Sequence, residues 1–508
     1  MASGTASALA ARAWKQVREP SAILLSTQLI SIVLRLCSNL VLAHLLVPRD
    51  FGMLAITTLV ATALAMFSDT GAWLSIVRKG DNVTGQWLDQ LWTLHVVRGV
   101  VLWLLSLAAT PAIAAAYSEP QLLLLLPVAT LWLIVLGFGS LYPLVRNKDL
   151  KPGFSMKLQL ISQVVAATFS IIGALIYPSP WALVGGLLAG SVATTIMGHV
   201  WSGQPLPRPH LTREFMREQW LLARWLIVST GLGFLGGQID RLLFPAWFGM
   251  TEFGVYSVAL TLALFPLQFG QGWADTLYMP SIAKLSRQNS GSAEKQLRHL
   301  SRTVVVYAAV ASALLAGIGT PFFHALYPSQ FAPAGLYIQV LAVTTYATFV
   351  TYLHRRTFLY QGMTRLEASI EASRLLLFLL GLGAAVAMNL KFSPLEYVGL
   401  YAAVQVAVYG GLVIVGRMRR LVHLRDDLPG HAIFIVLTVT MIFLGHAVED
   451  RFGAFVALVL NGSIGAIIGL VTAARLGLPK LPTGERPPEP RPQDLAASPE
   501  SFDPLRET

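Results

Sequence analysis

The sequence predicts an all-α integral membrane protein, and three observations predict it. Of 508 residues, 55% are apolar and 12% charged, with a mean hydropathy of +0.61, whereas a soluble domain carries about a quarter charged residues. Apolar runs of roughly the 20 residues needed to cross a bilayer recur from Ala22 almost to the end of the chain. Lysine and arginine gather in alternate connections between those runs, which is the mark of a multi-span topology.

The spans are read at 22–46, 51–77, 88–116, 119–145, 154–177, 181–201, 219–247, 251–279, 299–327, 333–360, 366–390, 395–417, 431–449 and 452–476. That makes fourteen crossings, so both ends share one side. With the ends placed inside, the inner segments together with the span-terminal Arg417 and Arg475 hold 25 lysines and arginines, against only Arg49, Lys391 and Arg451 outside. The positive-inside rule therefore makes both termini cytoplasmic, and the net charge of +11 is a topological signal that implies no nucleic-acid partner. The run after Arg12, Lys15 and Arg18 is too long for a signal-peptide core, and is read as a retained first span.

The chain divides into an inner N-terminal segment (1–21), a first lobe of spans one to six (22–201), an inner linker (202–218), a second lobe of spans seven to twelve (219–417), two further spans (431–476) and a tail (477–508) with eight prolines, read as disordered. Two six-helix lobes are read from a repeat. HLLVPRDFGMLAI at the first outer turn and PAWFGMTEFGVYSVA between spans seven and eight both place an acid before Phe-Gly, and Phe51-Gly52 and Phe253-Gly254 are 202 residues apart. Six intervening spans give the copies the same orientation, as in transporters built from parallel repeats.

GLGFLGGQIDR, Gly231 to Arg241, matches G-x-G-x-x-G letter for letter. A dinucleotide fingerprint needs a strand before the glycines and an acid about 20 residues on. Here they sit mid-span, with Asp240 four residues after Gly236. Gly231, Gly233, Gly236 and Gly237 are read instead as a close-packing or flexing segment, with Pro245 as a second weak point.

Charge deep in a span costs a few kcal/mol, roughly 2.5 to 3.5 on insertion scales, and so marks a wet path or a partner. Arg35 lies 13 residues into the first span. Gln28, Ser31, Arg35, Ser38 and Asn39 form one polar stripe there, suited to a lumen or to a helix–helix hydrogen-bond seam. Asp69 and Arg98 lie at similar depth in spans two and three, which suits an ion pair or a role in coupling or substrate contact. Asp240-Arg241 and Asp275 lie in spans seven and eight. Arg374, Glu371 and Glu367 share one face of span eleven and read as an intrahelical pair. Arg224, Arg302, Arg355 and Arg356 are near enough to the inner surface to snorkel. Arginine exceeds acid among these groups, and the guanidinium fork suits phosphate or pyrophosphate, so the path favours an anionic substrate. The single Cys37 and ten scattered histidines, His44 and His354 among them, are read as packing or interfacial residues, and no metal, cofactor or catalytic pair is expected.

LLVPRDFGMLAI, MFSDTGAWLSIVRKGD, QIDRLLFPAWFGMTEFGVYSVAL and LYMPSIAKLSR, in this order, resemble the bacterial polysaccharide-transport, Wzx-like branch of the multidrug/oligosaccharidyl-lipid/polysaccharide exporter superfamily. The resemblance implies two six-helix lobes around a central cavity plus two extra helices. It also implies a flippase moving undecaprenyl-pyrophosphate-type lipid-linked oligosaccharide across the bacterial inner membrane for surface or exopolysaccharide assembly, beside membrane lipids and other assembly proteins. Asp69, Asp240 and the two Phe-Gly turns fall on its motif positions, and its cationic lumen maps first onto Arg35, then Arg98. Without a G-x-x-x-x-G-K-[ST] phosphate loop, the expected drive is H+, Na+ or membrane potential. A drug or cation antiporter of the same superfamily would want acids in excess and twelve spans. A membrane glycan polymerase or ligase would want a long outer loop, whereas the outer loops here are short.

Overall fold

The computed structural model describes residues 20–68, 71–148, 153–278, 291–360, 363–418 and 424–476. Among them all regular structure is helical. Faces are named by charge, the lysine- and arginine-rich side being inner.

The first half runs α1 (Pro20–Leu45), α2 (Pro48–Met66), α3 (Ala72–Lys79), α4 (Gly85–Ala116), α5 (Leu122–Ala129), α6 (Leu131–Gly137), α7 (Tyr142–Lys148), α8 (Gly153–Ile176) and α9 (Pro180–Ser202). The second half runs α10 (Arg213–Ala263), α11 (Phe265–Trp273), a π-helical turn (Ala274–Tyr278), α12 (Gly291–Leu326), α13 (Ala334–Tyr360), α14 (Thr364–Ala387) and α15 (Pro394–Met418), followed by α16 (Leu424–Phe452) and α17 (Ala454–Leu476). Among the described residues twelve helices are long and apolar enough to cross a membrane, or thirteen if the bent set α5 to α7 is one crossing. One of the twelve covers two predicted spans. α10 is 51 residues long, about 75 Å at about 1.5 Å per residue, against a hydrocarbon core of about 30 Å. It breaks at Gly249, whose φ of 80° and ψ of 172° fall at the predicted outer turn FGMT.

Predicted spans two and four are each broken in mid-course. Span two stops at Met66 and resumes at Ala72 after Gly71, whose φ of 65° is the left-handed conformation a side chain resists. Span four bends by 60° between Gly137 and Tyr142. Hydropathy averages over a window and registers neither break. The proline at the start of α2 suits the first helical turn, and Asp50 closes that turn by accepting the Val47 amide at 3.3 Å.

Within the first half, α8 packs on α9 and α1, and α4 on α6; within the second, α12 packs on α13, and α13 on α15. α16 and α17 both pack on α12, pinned by the fully buried Asn461, whose amide donates to the Gly317 and Met441 carbonyls at 3.0 and 3.4 Å. Gly445 receives the Asn461 side chain, and Gly465 receives Leu314. Small residues and one buried amide do in lipid what a hydrophobic driving force does in water.

Candidate functional site at the interface of the halves

The main contact between the halves is α2 against α10, and its outer end is built from the repeated turns. A Cβ on Gly52 would stand 3.1 Å from the Gly254 amide nitrogen and collide with the Met250 carbonyl. A Cβ on Gly254 would stand 3.1 Å from the Gly52 nitrogen and collide with the Pro48 carbonyl. Pro48 and Met250 are themselves 202 residues apart, so the contact is reciprocal. Glycine is required here because backbone meets backbone.

Directly beneath lies a cavity of about 260 Å³. Phe51 and Phe253, Leu54 and Tyr256, Ala55 and Ser257, Thr58 and Leu260, and Leu59 and Thr261 all line it, each pair at the repeat separation of 202. Asn39, Thr62, Gln238 and Arg241 complete most of the wall, and Arg241 is the one charged residue on it. The volume is below the roughly 300 Å³ at which ligand pockets begin, so an oligosaccharide does not fit in this conformation.

The α2–α10 seam continues to the inner face. Thr230 donates to the Met66 carbonyl at 2.6 Å, Phe67 and Phe234 meet edge to face at 6.0 Å, and the buried Ser75 hydroxyl donates to Gln219 at 2.8 Å. The predicted linker is fastened to α4 of the first half. Arg208 and His210 donate backbone amides to Asp89 and Thr93, Thr212 hydrogen-bonds Gln90, and Phe215 packs against Trp87.

α1 meets the second half differently. Gln28 packs on the backbone of Gly272 in α11, and Asn39 accepts the Tyr327 hydroxyl at 3.0 Å from just past α12. Both ends of the polar stripe therefore reach across to the other half. Between them Arg35 is half-buried, and its guanidinium has no hydrogen-bond or ion-pair partner among the described residues.

Other sequence-predicted residues are placed elsewhere. Arg98 donates to Ser68 Oγ at 3.0 Å and to the Ala65 carbonyl at 2.5 Å, capping the end of α2, and borders a separate cavity of about 540 Å³ inside the first half. Asp69 lies outside the described residues. Asp240 is buried and accepts the Tyr256 hydroxyl at 2.5 Å. Glu371 pairs with Arg374 at 2.6 Å and also with Arg355 at 2.7 Å, while Arg356 reaches Asp275 at 2.9 Å. Arg355 and Arg356 are thus ion-paired between helices, in place of the expected snorkelling. The side chain of Glu367 lies outside the described ones. α10 is regular helix through Gly231 to Gly237 and Pro245. Gly231 packs on Phe67 and Gly236 on Glu371, while a Cβ at Gly233 or Gly237 would meet nothing within 4 Å.

Comparison with known proteins gives this geometry its context. A lipid II flippase, MurJ, in an inward closed conformation superposes with a TM-score of 0.69 at 12% identity, covering 89% of this chain and 98% of that one. An inward-facing multidrug-resistance MATE transporter of the MOP superfamily superposes with a TM-score of 0.60 at 10% identity, covering 79% and 98%. At such identities the likeness establishes the fold alone. In sequence, the chain is 22% identical over 339 residues to the teichuronic acid biosynthesis protein TuaB of Bacillus subtilis (strain 168), covering 66% of this chain and 69% of that protein. It is 25% identical over 258 residues to a membrane protein in the cps region of Klebsiella pneumoniae, and 22% over 259 to the lipopolysaccharide biosynthesis protein WzxC of Escherichia coli (strain K12). The match spans about half the length of these last two, 53% and 52%. A family model described as polysaccharide biosynthesis protein matches residues 41–335, more than half of the chain, and the protein belongs to that family.

Proposed function

We propose that this protein is a flippase for a polyprenyl-pyrophosphate-linked oligosaccharide, moving it from the cytoplasmic to the outer leaflet of a bacterial inner membrane for surface or exopolysaccharide assembly. Its fourteen crossings, with both termini cytoplasmic, form two six-helix lobes plus α16 and α17. It works by alternating access of the lobes, as a transporter and not an enzyme.

The observation that carries the reading is Arg35. A half-buried guanidinium with no counter-charge among the described residues, held midway along a stripe that bridges the halves, is a site suited to an anion, and its planar fork matches a pyrophosphate. When the inner side opens, Arg35 takes the pyrophosphate, while Gln28, Asn39 and the threonines of α2 offer hydrogen bonds to sugar hydroxyls. Arg241 stands on the opposite wall, and the lipid tail stays in the bilayer beside α1. Arg98, Asp69, Asp275 and Arg374 support the path at one remove, and Gly231 to Gly237 with Pro245 are the flexing segment of α10.

Arg35→Ala is expected to lower polymer export at least tenfold at unchanged protein level, with Arg35→Lys in between. Normal export from Arg35→Ala would remove this residue from the mechanism. Unchanged export with altered drug tolerance in a deletion strain would favour the antiporter reading.

A further inference from the structure

Away from the interface of the halves, five polar side chains from three helices form an unbroken hydrogen-bonded chain in the inner half of the membrane. His354 Nε2 of α13 donates to Asp427 Oδ2 of α16 at 2.8 Å, and Tyr409 Oη of α15 donates to the same oxygen at 3.2 Å. Tyr409 Oη also meets His431 Nε2 at 2.9 Å, and His431 Nδ1 meets Tyr346 Oη at 2.8 Å. His354 and Asp427 are 6% and 1% exposed.

The direction of each bond follows from counting protons. A neutral Tyr409 has one, and gives it to the carboxylate. His431 Nε2 must then carry the hydrogen between it and Tyr409, which leaves Nδ1 as an acceptor for the Tyr346 hydroxyl. In that state both histidines are neutral and Asp427 is charged, so the cluster holds one negative charge in a membrane-embedded site. Asp427 sits in the first turn of α16, where the helix dipole favours an anion. Among the described residues no lysine or arginine is found ion-paired to the cluster. Arg355 and Arg356, adjacent to His354, are committed to Glu371 and Asp275. The other elements packed around it present Tyr278, which bonds Thr357, from the π-helical turn, Val305 from α12, and Phe434, stacked on Tyr346 at 4.2 Å, from α16.

We infer that the chain Tyr346–His431–Tyr409–Asp427–His354 is a proton-binding site that is loaded and unloaded during transport, physically separate from the cavity between the halves. One added proton binds His431 Nδ1, and Tyr346 turns from donor to acceptor, so no hydrogen bond is lost. Transfer of the Nε2 proton to Tyr409 Oη, with the Tyr409 proton passing to Asp427, moves the load two side chains along and returns His431 to neutrality. Imidazole ligands suit a proton and not Na+, whose partners are oxygens, and no group of three metal-type ligands is found among the described residues. Outward of the site the same three helices part into a groove of about 520 Å³ lined in part by Gln339 and Thr438, and the Thr438 hydroxyl has no partner among the described residues. α16 is thereby fastened to the second half by bonds whose strength follows the proton.

The assignment to transport rests on the flippase reading; the proton site itself does not, and the test separates them. On the purified full-length protein, infrared difference spectra between about pH 8 and about pH 6 are expected to contain an imidazole band that His431→Gln removes, and a carboxyl change that Tyr409→Phe shifts with the fold retained. Spectra identical to wild type in both variants overturn the site whatever the cargo. In vesicles, an imposed pH gradient is expected to accelerate lipid-linked oligosaccharide flipping several-fold in wild type and not in His431→Gln. An equal response in both overturns the coupling. If wild type flips nothing while the spectra behave as stated, the flippase reading fails and the proton site stands.

Discussion

The two contacts between the halves of this protein are built on different principles. Along α2 and α10, glycine lies on glycine at the outer end, and threonine and glutamine hydrogen bonds with an aromatic pair continue to the inner face. Along α1 the contacts are at the two ends, Gln28 with Gly272 and Asn39 with Tyr327, and the middle carries an arginine with no ion-pair partner among the described residues. A seam hydrogen-bonded at several points along its length resists parting, because each buried polar group that loses its partner costs about 1–3 kcal/mol. The α1 side has fewer bonds to break.

That contrast can be broken or sharpened by substitution. The largest effect is expected from Gly254→Leu, which drives a side chain into the Pro48 carbonyl; overpacking costs about 1–3 kcal/mol or more, and backbone cannot yield as a side chain can. Export should fall more than tenfold, and a cysteine pair placed across the outer turns should lose its crosslink. Equal crosslinking in mutant and wild type would mean that the turns do not set the outer closure. Next, Ser75→Ala leaves Gln219 without its buried donor and should lower thermal stability by about 1 kcal/mol, whereas Asn39→Ala, in a more open setting, should lower it less. A reversed ranking in thermal melts would overturn the distinction between the seams. The smallest effect is expected within GLGFLGG. Gly237→Ala meets open space and should stabilise the helix by up to about 1 kcal/mol, while Gly236→Ala presses on Glu371 and should destabilise. Loss of export from Gly237→Ala at raised stability would identify it as a flexing point.

The all-helical membrane class, the position of most helices and the repeat were legible in the sequence, because hydropathy and charge are local quantities. The interruption between Met66 and Ala72 was not, since FSDTG lies inside an apolar window and only Gly71's left-handed backbone reveals the break. Of the predicted path residues, Arg35, Gln28, Asn39 and Arg241 gather near the interface, which the three-and-four spacing of α1 anticipated for the first three. Arg355 and Arg356 were misread as surface-seeking because their partners, Glu371 and Asp275, come from other elements. His354 and His431 had no sequence signal at all: 77 residues separate them, and a loop and two helix reversals bring them together.

The reciprocal contact at the Phe-Gly turns has one further consequence. Gly52 touches Met250 and Gly254, and Gly254 touches Pro48 and Gly52. This is the arithmetic of an isologous dimer interface, in which residue i meets j′ and j meets i′. A single self-complementary patch, written twice in one chain, packs against itself here, so neither copy can change its shape at the contact without the other changing to match.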